Sequence, residues 1–446
     1  MASPHPADDS AAASDQSSPG HGKRWLLILT IFLVLPALGF VLWMQDAPQP
    51  DDAWLRPNWT SAEDGENNPL AQLQAFLIAH PLPKDDKRFR MAGTQEPWNA
   101  AEAQALLTKY AGHLREIDKL LSSNPKKWHW CEGAVLARYD AKLDYLNSIQ
   151  YLGQLAVIRS KAASTVQEAM QRSIEAARFG ENVSSAQGGA LHCMAGTTIQ
   201  QQAFNALKLA MTRQDSTVSN LEEASTLLSR VTVRPQNLAS ALRVEYEAYR
   251  RLVEDAAAGR LGALPIGNPS FLTRVPWLTK PNHALGLHHS SVGPIIRTLD
   301  AGWQGLGPVL NDSKAFMVEF SAHRLSRVAT YGGGGMLFYM TQGSADALAT
   351  SMTNTEAQRI LLLTQIGLRR QELAVGSLPA TLAEVSPTLL DPTLRDPWSD
   401  APVIWKKDSL RLYSVGRNGV DDGGNFAHRL PQKVLDMGDS YGWVKP

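Results

Sequence analysis

From Trp25 to Met44 the chain reads WLLILTIFLVLPALGFVLWM, twenty residues without one charge. At ~1.5 Å per helical residue such a run spans about 30 Å, the hydrocarbon thickness of a bilayer. Trp25 and Trp43 stand at or beside its ends, where indoles favour the membrane interface. Lys23 and Arg24 precede it, whereas Asp46, Asp51 and Asp52 follow. The positive-inside rule then places the N-terminus in the cytoplasm and the bulk of the chain across the membrane. A mid-span Pro36 is compatible with a transmembrane helix. A cleaved signal peptide fits less well, because its apolar core usually runs about 7–15 residues and ends in a small-x-small cleavage site. The expected address is therefore the cell inner membrane, with a single anchor over 23–45 and a periplasmic domain. The bilayer, met through residues 25–44, is the first expected partner, and other envelope proteins are the second.

Residues 1–22 contain no large apolar side chain beyond Met1, so they bury too little to offset chain entropy and read as a disordered cytoplasmic tail. Lys and Arg total 43, as do Asp and Glu. That balance leaves no basic stripe of the kind nucleic-acid binding needs, and no nucleic-acid partner is expected.

Beyond the anchor, 46–66 is rich in Pro, Asp and Asn and reads as a linker. Helical periodicity then dominates 67–258. Apolar rows at helical spacing occur over 101–121, over 141–177 (Leu143, Leu146, Ile149, Leu152, Leu155), over 190–213 and over 220–231. A further helix is expected from Pro235, a good first-turn residue, to about Ala258. Residues 259–352 form a Gly- and Pro-marked connector and a less regular second helical region, and 353–446 a separate C-terminal unit. The expected fold class is mainly α: a transmembrane helix, a helical bundle or stacked helical hairpins, and a small α+β module with an antiparallel hairpin.

Few constellations carry chemistry. Cys131 and Cys193 are expected to pair in an oxidising compartment. A zinc site from these cysteines with His129 and His192 has suitable ligand types but unsuitable spacing. His283, His288 and His289 read as exposed histidines at a helix start. The Gly332–Gly335 run lacks the Lys-Ser/Thr of a phosphate loop and reads as close backbone packing or a joint. No metalloprotease, nucleophile-elbow or dinucleotide motif is present in the sequence.

The last hundred residues are the most legible. Thr353 and Glu356 have capping-box spacing, Gly376 stands where a left-handed helix cap is expected, and Pro379 follows. Two short strands are predicted at Val403–Lys407 and Leu410–Val415, turning at Asp408-Ser409. The residues Leu378-Pro379, Leu382, Asp396-Pro397-Trp398, Pro402 and Tyr413-Ser414-Val415-Gly416-Arg417-Asn418-Gly419 together resemble the globular part of the major pseudopilins of type II secretion systems. The resemblance covers about seventy residues. The chain as a whole is similar to membrane-anchored bacterial proteins that end in such a tail. In the pseudopilins the loop after this Tyr-Ser segment binds calcium. The resemblance implies Ca²⁺ at Asn418, Asp421 and Asp422, and the residue types alone allow it, since Ca²⁺ takes six to eight oxygens on a flexible loop. A polar turn leaving the hairpin has the same composition. Two departures stand out: no Glu lies five residues into the apolar helix, and Asn418 occupies a position where the family usually has Asp.

These features point to a membrane-anchored periplasmic scaffold or assembly protein acting through protein contacts. The alternative is an anchored hydrolase with a site built from dispersed carboxylates and histidines.

Overall fold

The computed structural model describes residues 35–58, 68–83, 86–93, 98–122, 128, 144–260, 279–323, 330–331, 333–335, 337–338 and 343–424. The chain divides into two units, Met1–Ala47 and Pro48–Pro446. In the first unit, helix α1 (Leu35–Met44) covers the second half of the apolar run. Residues 25–34 lie outside the described ones, and no helix among the described residues is long and apolar enough to cross a membrane.

The second unit is mainly helical. Helices α2 (Pro69–Ala79), α3 (Ala100–Lys109) and α4 (Ala111–Leu121) come first. The 101–121 row is thus two helices rather than one, interrupted at Tyr110, whose ψ of 25° leaves the helical region. The 141–177 row also divides, into α5 (Asp144–Lys161) and α6 (Val166–Ser185). The break has a local cause: the Thr165 hydroxyl accepts from Glu168 N at 3.2 Å and starts a new helix. Helices α7 (Ala190–Met211), α8 (Val218–Leu228) and α9 (Pro235–Ala257) follow close to expectation. Thr217 and Asn220 form a reciprocal capping box on α8.

Helices α6 and α7 pack through a glycine crossing. A Cβ at Gly180 would lie 2.6 Å from Gly196 O, and one at Gly196 only 2.4 Å from Gly180 O. The two backbones touch, and only glycine leaves room. Gly153 of α5 gives the same room to Ile199, whose Cγ1 would be 2.4 Å from an added Cβ. This small-residue contact explains why an amphipathic pattern read in isolation understates α7, which is buried on most sides.

Helix α10 (Pro281–Ala301) packs beside α9, and α11 (Leu306–Ala322) beside α10. Part of the expected linker is docked here. Residues Ala53–Leu55 form a 3₁₀ turn with Leu55 fully buried in the core of α9 and α10. Asp52 is buried too, accepting the Tyr246 hydroxyl at 2.7 Å and pairing with Arg56 at 3.0 Å. Arg297 stacks over the Trp54 ring, 4.4 Å from its centroid. A composition typical of linkers did not reveal this strap, because one Leu and one Asp carry its burial.

The dominant element is α12 (Gly343–Val375), 33 residues and roughly 50 Å long at ~1.5 Å per residue. The expected start at Thr353 is corrected. Thr353 is mid-helix, its hydroxyl donating back to Ala349 O at 2.8 Å, and Glu356 pairs with Arg359 at 2.7 Å instead of capping. Gly376 does end the helix, with φ of 81° and its N–H on Glu372 O. Ala345–Ala357 belong to the α9–α10 core, Leu362, Leu363 and Ile366 to the α2–α8 core, and Ile360, Leu361 and Leu368 to the C-terminal core. Strands β1 (Ile404–Lys406) and β2 (Arg411–Tyr413) pair antiparallel with Trp405 opposite Leu412. The hairpin lies within the two expected strand segments, on either side of Asp408-Ser409.

Candidate functional site

The C-terminal module is assembled on α12 by two tryptophans and one carboxylate. Trp405 donates its indole N–H to Pro379 O at 3.0 Å, fastening β1 to the chain just past the helix cap. Trp398 donates to Asn354 Oδ1 on α12 at 3.0 Å. Asp396 is 1 % exposed and organises the segment between them. Its Oδ1 accepts from Trp398 N (3.1 Å) and Ser414 Oγ (2.9 Å), and its Oδ2 from Val415 N (3.1 Å). Burial pushes its carboxyl above the usual range, while these three donors act to lower it. The Asp396-Pro397-Trp398 and Tyr413-Ser414-Val415 segments are therefore two sides of one buried junction.

Arg417, two residues beyond Val415, leaves the module and reaches the helices. Its guanidinium lies 2.8 Å from Asp346 Oδ1 and donates to Thr350 Oγ1 (3.2 Å) on α12, and its Nε donates to Asn311 Oδ1 (3.1 Å) on α11. Beyond it, Gly419, Gly423 and Gly424 all take positive φ and fold the chain back.

The three residues expected to hold calcium are only partly brought together. Asn418 Nδ2 donates to Asp422 Oδ2 at 3.0 Å, and Asn418 Oδ1 accepts from Val420 N at 3.1 Å. Asp421 instead faces the hairpin, where its Oδ1 accepts from Gly423 N and the Tyr413 hydroxyl, each at 2.8 Å. Lys406 Nζ lies 3.5 Å from its other oxygen. The Gly423 N–H first, then Tyr413 and Lys406, hold the Asp421 carboxyl below its usual value. The carbonyls of Gly423 and Gly424 both accept from Arg411 Nη1, at 3.2 and 3.0 Å. The donor set thus fits a divalent ion poorly, because Asp421, Asn418 Oδ1, Asp422 Oδ2 and the Gly423 and Gly424 carbonyls already meet protein donors, two of which are cations. Asn418, Asp421 and Asp422 were visible in the sequence. Lys406, Arg411 and Tyr413 were missed, although the hairpin register that aims them at the loop was legible.

Of the three histidines expected to be exposed at the start of α10, His288 is interior. His288 is buried on α10, stacked on Tyr249 (centroids 4.8 Å, 28° between planes) and edge-on to Tyr246 (5.2 Å). Burial pushes its imidazole down to about 3. His283 and His289 are half-buried. His192 meets the Tyr145 hydroxyl through Nε2 at 2.8 Å, and burial pushes it down to about 4. Cys193 is a free, buried thiol with its Sγ 3.1 Å from Met352 Sδ, and burial pushes it up to about 12. Cys131 and His129 lie outside the described residues, and the expected Cys131–Cys193 bridge with them. Among the described residues no group of three or more His, Cys, Asp or Glu is placed to hold a metal. Gly334 bears out the close-packing reading, since an added Cβ would lie 2.5 Å from both Ala284 Cβ and Thr279 O. A shallow surface depression of about 480 Å³ lies along one face of α11, by Lys314, Val318 and Glu319. In comparisons with family models, curated proteins and solved structures, the chain has no match.

Proposed function

We propose that this protein is a membrane-anchored envelope scaffold or assembly protein. Residues 25–44 span the inner membrane, the N-terminus is cytoplasmic, and the helical unit with its pseudopilin-like tail contacts other envelope proteins from the periplasmic side. The observation that best supports a scaffold is the sharing of α12 among three hydrophobic cores. A helix with side chains in every core makes the helical region and the tail a single support rather than independent modules. The hydrolase alternative gains little from His192 and His288, which are buried and held neutral.

Affinity purification of the full chain, tagged after Pro446, from detergent-solubilised membranes tests the reading. Stoichiometric envelope partners are expected, lost when Leu35 and Leu38 are replaced by charged residues that prevent membrane insertion. Recovery of the chain alone from intact membranes would count against a scaffold. A reporter active only outside the cytoplasm should work when fused at Pro446 and fail when fused before Lys23, and the reverse pattern overturns the topology.

A further inference from the structure

We propose that the loop 417–424 is closed by the chain's own cations, Arg411 and Lys406, and forms without metal to keep Arg417 seated on α12. The inference stands apart from the scaffold reading and departs from what the pseudopilin resemblance implies. Calcium needs six to eight oxygens turned inward on one point. Here five of the loop's residues turn an oxygen toward a protein donor: Asn418, Asp421, Asp422, Gly423 and Gly424. The Gly423 and Gly424 carbonyls converge on one nitrogen, Arg411 Nη1. Asp421 is shared among Gly423 N, Tyr413 and Lys406. Asn418 and Asp422 bond each other.

A guanidinium that accepts no hydrogen bond and stays charged at all accessible pH does for two carbonyls what a metal would do. A divalent ion seated among the same oxygens would face two positive charges across a few ångströms. The Tyr413 ring closes the remaining side: an added Cβ at Gly424 would lie 2.7 Å from its Cδ1, so the loop's last turn rests on the ring. Lys406 Nζ lies 5.2 Å from the same ring's centroid, linking both cations to one surface of the hairpin. The register that pairs Lys406 with Arg411 puts the two cations side by side on adjacent strands. The consequence is mechanical: residue 417, at the loop's first position, is held in reach of Asp346 and Thr350 without an external ion.

The test uses the full-length protein in detergent. Equilibrium dialysis with radioactive calcium should detect no binding that Asp421→Asn abolishes, and the melting temperature should agree to within about 1 °C between millimolar calcium and chelator. Saturable binding removed by D421N, or a melting temperature several degrees higher in calcium, overturns the proposal. In parallel, Arg411→Met should speed hydrogen exchange of the 417–424 amides by roughly tenfold or more, with Arg411→Lys restoring part of the protection. Unchanged exchange in R411M likewise overturns it. Should R411M not fold, Lys406→Met is read in its place by the same criterion, its side chain being 42 % exposed and tolerant of replacement.

Discussion

The indole N–H of Trp398 and the Asn354 side chain meet at 3.0 Å inside the protein, joining the C-terminal module to a helix 44 residues earlier in the chain. Both residues are buried, so water cannot replace either partner. Asn354→Ala should therefore cost about 1–3 kcal/mol, the penalty of an orphaned buried donor. Chemical denaturation of the full chain measures it. A cost within error of zero would mean that the module is not fastened there.

The Gly180–Gly196 crossing gives a sharper contrast. Gly180→Ala or Gly196→Ala puts a methyl within 2.6 or 2.4 Å of a carbonyl oxygen, and each should destabilise by roughly 1–3 kcal/mol or more through forced separation of α6 and α7. Gly112, on the exposed side of α4, has nothing within 4 Å of an added Cβ. Gly112→Ala should stabilise by about 0.5–1 kcal/mol, because glycine loses more backbone entropy in a helix. Since both crossing glycines serve one contact, their double variant should cost less than the sum.

His288 should make stability depend on pH. Its folded-state value, about 3, lies below the ~6.5 of an unfolded histidine. Its contribution is therefore fully present above pH ~6.5 and is lost as pH falls toward 3, because only the unfolded chain takes up the proton. The slope is roughly 1.4 kcal/mol per pH unit at full effect. His288→Phe, which suits the Tyr246–Tyr249 surroundings, should flatten the wild-type curve by that amount between about pH 6 and 4. Parallel curves for the two proteins would show that His288 titrates normally.

Cys193 should resist alkylation at neutral pH in the folded protein and react fully in denaturant, because the thiolate is the reactive form and burial suppresses it. Reduction should produce no mobility shift. A shift that disappears in Cys193→Ser would restore a disulfide.

The sequence by itself determined the elements whose causes are local. Pro235 opens α9, Gly376 closes α12, and the two short segments flanking Asp408-Ser409 form the hairpin. Each depends on residues within a few positions of one another, so a linear pattern carries the information. It also supplied the loop residues Asn418, Asp421 and Asp422, because oxygen- and glycine-rich composition is local too. The tertiary structure decided what depends on partners far along the chain. Thr353 looks like a cap and is mid-helix because α12 is stabilised by three cores at once. His288 looks exposed and is interior because Tyr246 and Tyr249 of α9 close over it. Asp52 and Leu55 sit in a linker-like stretch and are buried because α9 and α10 present a matching hydroxyl and an apolar groove. The loop's oxygens face Arg411 and Lys406 for the same reason. Charge pairing and burial are properties of space rather than of spacing, and only the folded chain brings these groups within hydrogen-bond reach.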